Sequence, residues 1–118
     1  MIGGTMDNLM TIMLEAHHEG RNHHRCYQIT VGRDLLDDWT VSIRYGRTGQ
    51  EGRELRYVNA NAEELQQVIR ERLLRRRSAT RRIGCPYRMT SFAAAPDFNA
   101  SGWLPVDVLA NFLAMAGS

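Results

Sequence analysis

Lysine is absent from this chain, and all 15 of its basic residues are arginine. That leaves no flexible ammonium point charge; in its place is a planar fork of donors that matches phosphate and stacks on flat rings. Cysteine is scarce. Cys26 and Cys85 are the only two, and neither sits in a Cys-x-x-Cys arrangement, so neither a disulfide framework nor a redox motif is indicated and reduced structural thiols are expected. Long apolar runs are missing as well, and Met1 to Gly20 lacks the basic start and cleavage site of a secretory signal. A cytoplasmic address with no membrane partner is the expectation. No serine lies in a nucleophile-elbow context, and the acids fall in turns or at a helix start rather than beside a nucleophile. Neither an enzyme nor a cofactor is therefore expected.

What is present is enough for one domain. The 118 residues are 43% hydrophobic, sufficient for a single core. Formal charge is only +2, but its distribution is uneven. From Arg70 to Arg88 there are eight arginines against the single acid Glu71, a local excess of 8 − 1 = +7.

Strand periodicity dominates the first half. Runs from Thr11 to His18 and from His24 to Val31 flank the turn-forming Glu19-Gly20-Arg21-Asn22, which predicts a β-hairpin. Tyr27, Ile29 and Val31 alternate with Cys26, Gln28 and Thr30, the two-residue period of a strand with one buried face. Trp39 to Tyr45 alternates in the same way, placing Trp39 in the core, and Arg53 to Val58 resumes the pattern with Leu55 and Tyr57. Between them Gly46, Gly49 and Gly52 predict a tight connection between antiparallel strands.

From Asn61 the period lengthens. Ala62, Leu65, Ile69 and Leu73 share one helical face, with Asn61 as N-cap and Glu63 and Glu64 in the first turn, so a helix to about Arg77 is predicted. Val68 widens the buried stripe, and Leu74 lies off it, pointing to contact elsewhere in the chain. Thr90 to Ser101 is Ala-rich, shows no clear period and reads as a connector. Pro105 then opens a short apolar helix to Met115, expected to bury itself on the body or on a second copy. The expected class is α+β: an antiparallel sheet packed with one main helix, plus a short C-terminal helix. Residues 12–88 form the domain and 89–118 the connector and tail.

Three groups of residues invite chemistry. His17, His18, His23, His24 and Cys26 crowd one hairpin, with His18 expected near His23 and His17 near His24, but strand alternation splits neighbours between faces and no metal is expected. The glycine spacing is not a phosphate-binding loop, having neither a Gly-Lys-Ser/Thr ending nor a helix directly after it. For the arginine cluster two readings stand: an anion-binding surface, or a solvated helix end in which Arg75, Arg76 and Arg77 complement the macrodipole. The second does not reach Arg81, Arg82 and Arg88, which lie beyond the helix.

Leu14-Glu15-Ala16, Arg25-Cys26-Tyr27, Leu35-Leu36-Asp37-Asp38-Trp39-Thr40-Val41 and Arg44-Tyr45-Gly46-Arg47-Thr48-Gly49-Gln50-Glu51-Gly52, closed by a basic helix and an aromatic, resemble the WGR domain in order and spacing over about Leu14 to Tyr87. That family occurs as short bacterial proteins and inside poly(ADP-ribose) polymerases, where the module binds DNA near a break and its Trp and Arg meet the terminal nucleotide. The resemblance implies an antiparallel sheet with a helix, and a non-catalytic nucleic-acid-binding role, DNA rather than RNA. By position Gly46 and Arg47 keep the tripeptide and Tyr45 replaces its Trp, retaining a flat face of smaller area; Tyr45 also shares parity with Trp39, Val41 and Ile43, so two readings stand, contact with a ligand or completion of the core face. The resemblance implies contacts from Tyr45, Gly46 and Arg47, and the arginine distribution adds Arg53 on the hairpin with Arg75, Arg76, Arg77, Arg81 and Arg82 after it as expected nucleic-acid contacts. Phosphate contacts of this kind carry no sequence information. The rival expectation is a protein-interaction module that uses the Tyr45–Arg53 edge or the C-terminal helix, with self-association through that helix.

Overall fold

Each alternating run becomes a strand. The computed structural model describes residues 7–18, 20, 23–78 and 86–112. In chain order the elements are β1 (Asp7–His18), β2 (His23–Arg33), β3 (Trp39–Arg47), β4 (Arg53–Asn59), α1 (Ala62–Arg77), β5 (Arg88–Ala94) and α2 (Val106–Leu109), which runs into a 3-10 turn, Ala110–Phe112. The sheet order is β4-β3-β2-β1-β5 with every pairing antiparallel. This is the α+β class expected: sheet, one main helix and a short C-terminal helix.

One face of the sheet carries the core. Met10, Ile12, Leu14 and Ala16 of β1, Tyr27, Ile29 and Val31 of β2, and Val41 and Ile43 of β3 are all buried there. Helix α1 closes it with Leu65, Ile69 and Leu73, while Val68 and Leu74 pack half-buried against the same core. The helix starts where the Asn61 side chain accepts from the Glu63 N–H at 2.9 Å, satisfying a donor that would otherwise be orphaned. It stops at Ser78, whose hydroxyl donates to the Arg75 carbonyl at 2.9 Å.

Two expectations need correction. The stretch read as a connector contributes β5, an edge strand paired to β1, with Thr90 bulged between Ser91↔Met13 and Met89↔Leu14. Its period was invisible because only Met89 of the strand is even half-buried, so one face was never required to be apolar. Trp39 is not central to the core but half-buried at its rim, with Trp103 at 5.0 Å, Phe98 at 6.3 Å and the Arg33 guanidinium 4.2 Å from its ring. Arg33 Nε is 2.9 Å from an Asp37 carboxylate oxygen, close enough for an ion pair, yet its N–H is not aimed there; the aligned bond is from Nη2 to the Asp37 carbonyl at 3.1 Å. The C-terminal helix packs on its own body: Val108, Leu109 and Phe112 are all buried in the one core. Leu113 to Met115, most of the Glu19 to Asn22 turn, and Arg81, Arg82 and Cys85 lie outside the described residues.

Candidate nucleic-acid interface

The β3–β4 hairpin is held by close backbone approach. A Cβ on Gly52 would fall 2.5 Å from the Tyr45 carbonyl oxygen, and one on Gly46 would fall 3.0 Å from the Gly52 Cα. No larger residue fits that crossing. Gly49 supplies the turn's positive φ, +86°, and the Gln50 N–H closes on the Arg47 carbonyl at 3.2 Å, the geometry that calls for glycine at the third turn position. The loop is also tied to β2, through the Thr48 N–H to the His24 carbonyl at 2.8 Å and Thr48 Oγ1 to Cys26 Sγ at 2.9 Å.

This hairpin borders a cleft of about 500 Å³ whose lining includes Tyr45, Gly46, Arg47 and Arg53. Arg47 and Arg53 are exposed, and Tyr45 is half-buried. Arg53 is the register partner of Tyr45 across β3 and β4. Arg44 lines the same cleft and is engaged there by Glu54 at 3.5 Å.

The C-terminal turns of α1 approach the same end of the sheet. Arg76 places its guanidinium 5.0 Å from the Tyr27 ring and 5.9 Å from the Tyr87 ring, and the Tyr27 ring is 6.0 Å from Tyr45. One turn earlier Arg72 donates to the Tyr57 hydroxyl at 2.6 Å. Tyr27 therefore joins the hairpin to the basic helix end, a role hidden in the sequence by its ordinary core parity with Ile29 and Val31. Its hydroxyl and Arg76 Nε are both buried without a hydrogen-bond partner. Burial pushes the Tyr27 phenol up to about 12, against a smaller opposing pull from Arg76 and Arg72.

The remaining arginines separate. Arg75 and Arg77, both exposed, are two residues and so about 200° apart around the helix, facing nearly opposite sides. Arg70 is committed to Asp107 of α2 through two bonds of 3.0 and 2.7 Å. Helix periodicity and the sequence position of Asp107 alone gave no way to foresee that pair.

At the turn end of the β1–β2 hairpin, beside the Thr48 loop, the expected register holds, His17 opposite His24 and His18 opposite His23. The His17 and His24 rings stack at 4.8 Å, and His24 Nε2 is 3.0 Å from a Glu15 carboxylate oxygen. That bond, with a second from the Thr90 hydroxyl at 3.0 Å, holds the Glu15 carboxyl below its ordinary range. No group of three or more metal-ligating side chains converges among the described residues.

The structure thus sets the tripeptide position on a glycine-pinned hairpin, ahead of a basic-ended helix packed on an antiparallel sheet. The WGR domain model matches residues 10–79, more than half of the chain, and the protein belongs to that family. No curated protein and no solved structure matches it. The WGR domain is a nucleic-acid-binding type of module and is not itself catalytic. No helix among the described residues is long and apolar enough to cross a membrane.

Proposed function

We propose that this chain is a non-catalytic module that binds duplex DNA, holding phosphates through arginine without reading sequence. The observation that carries this reading is the bridge through Tyr27: it brings the Tyr45-Gly46-Arg47 hairpin and Arg76 of the basic helix to one end of the sheet. Arg47 and Arg53 are the phosphate contacts there, joined by whichever of Arg75 and Arg77 shares their side of the helix end; Arg76 supports the site from over Tyr27 and Tyr87, and Arg81 and Arg82, outside the described residues, are proposed as further contacts from their charge alone. Guanidinium contacts to phosphate release counterions and give affinity without base information. The half-buried Tyr45 offers a ring rim to a sugar or base. Among the described residues no helix resembles a recognition helix for the major groove.

Two variants separate the contributions. Arg47→Gln with Arg53→Gln is expected to weaken binding to all sequences alike and to flatten the dependence of affinity on salt. Tyr45→Ala is expected to lower affinity by about 1–3 kcal/mol at every ionic strength with the slope nearly unchanged. Equal behaviour of the two, with both proteins folded, contradicts the assignment.

A further inference from the structure

Strand alternation puts His17 and His24 on the sheet face away from α1, since Leu14 and Ala16 of β1 and Tyr27 of β2 take the core face. Cys26, two residues along that same face, lines the cleft beside Tyr45-Gly46-Arg47, so the histidine pair borders the cleft. The pair is also tied to the β3–β4 loop, because the His24 carbonyl accepts the Thr48 N–H at 2.8 Å while the His24 ring stacks on His17 at 4.8 Å. Charge at this end of the sheet does not balance. Facing the two rings are Glu15 on β1, which bonds His24 at 3.0 Å, Cys26 on β2, and Thr48 of the loop. From β5 come the uncharged Thr90, bonded to the same carboxylate, and Arg88, in register with Glu15. Among the cleft's acids, Glu51 lines it from the β4 side of the loop and Glu54 is engaged by Arg44. On the alternate parity Arg25 and Arg47 are register partners, both exposed and neither with an ion-pair partner among the described residues. Like charges set directly opposite are destabilising, and an anion relieves them. One carboxylate serves both imidazoles. It matches a single imidazolium, and a second proton sets like charge beside like in the stack with only arginines added nearby.

We propose that His17 and His24 are a proton-linked phosphate contact at the rim of this cleft, an assignment that rests on the proposed phosphate role of the adjoining hairpin. A nucleic-acid phosphate seated there supplies the missing negative charge, and the stacked pair takes up a proton as the phosphate binds. Histidine suits the task because its ordinary titration falls near neutrality, where the free pair is only partly charged. The sign is definite. Phosphate favours the charged imidazole and so raises its pKa in the complex; binding strengthens as pH falls through the histidine range and is level above it. Arginine, charged throughout, gives the hairpin contacts no such dependence.

Titration calorimetry of the full chain with duplex DNA, between about pH 8 and about pH 6 at fixed ionic strength and in two buffers of different ionisation enthalpy, tests the proposal. Uptake of about one proton per bound protein is expected near the histidine range, with affinity rising by up to roughly tenfold per pH unit there. H17Q/H24Q, with circular dichroism confirming the fold, removes the uptake and flattens the pH profile. H18Q/H23Q, at the next register pair of the same hairpin, keeps both. Salt-sensitive binding without proton uptake overturns the histidine contact and leaves the hairpin's phosphate role standing, as does an uptake indifferent to H17Q/H24Q. Absence of binding at every pH overturns both.

Discussion

Tyr27 holds its hydroxyl in the core without a partner, an arrangement that costs stability because the group has given up water. Tyr27→Phe keeps the ring under Arg76 and removes that cost. Denaturant unfolding at pH 7 is expected to show no loss and a gain of about 1 kcal/mol. The pH dependence has a definite sign. The folded phenol is raised from 10.0 to about 12, so stability is intact below pH 10 and falls as pH climbs from about 10 toward 12, where the unfolded chain ionises first. Tyr27→Phe removes that part of the alkaline loss. Glu15 works in the opposite direction. Its carboxyl is lowered from 4.5, so its contribution is present above that pH and disappears as pH falls below it. Glu15→Gln is expected to lower stability at pH 7 and to flatten the acid limb of the unfolding curve. An unchanged acid limb contradicts the His24 and Thr90 contacts.

At the scale of elements, the hairpin and the C-terminal segment each depend on one crowded position. Gly52→Ala drives a methyl group toward the Tyr45 carbonyl oxygen and is expected to cost about 1–3 kcal/mol in thermal unfolding, opening the hairpin that carries Tyr45 and Arg47. Trp103 is 3% exposed and anchors the segment between β5 and α2. Trp103→Ala is expected to cost about 3–5 kcal/mol and to lower Tm by more than about 10 °C. These two elements also mark where the sequence was legible and where it was not. Four strands and α1 followed from periods that burial on one face enforces, and Gly46, Gly49 and Gly52 from the backbone approach their turn requires. The strand β5 escaped because an edge with little buried surface leaves no alternating pattern. Trp103, Phe98 and Trp39 meet only through tertiary folding, so no local period records the cluster. Arg72 and Arg76 looked like further members of a basic run, and their tyrosine partners come from three different strands or segments.

For the whole molecule, the basic run is less uniform than its local charge implies. Arg70 is bound to Asp107, Arg72 to Tyr57, and Arg76 lies over Tyr27 and Tyr87, so part of the cluster holds the fold together while the exposed hairpin arginines face solvent. The proposed phosphate contacts therefore include the hairpin as well as the helix end. The measurement that tests this most directly is the affinity of the folded protein for duplex DNA across a range of salt concentrations. The expected result is a linear fall of log affinity with log salt, with a slope of about −0.9 per phosphate neutralised and roughly four to six phosphates in all, the same for unrelated sequences. No binding to duplex DNA at low salt, or binding that salt leaves unchanged, would contradict it.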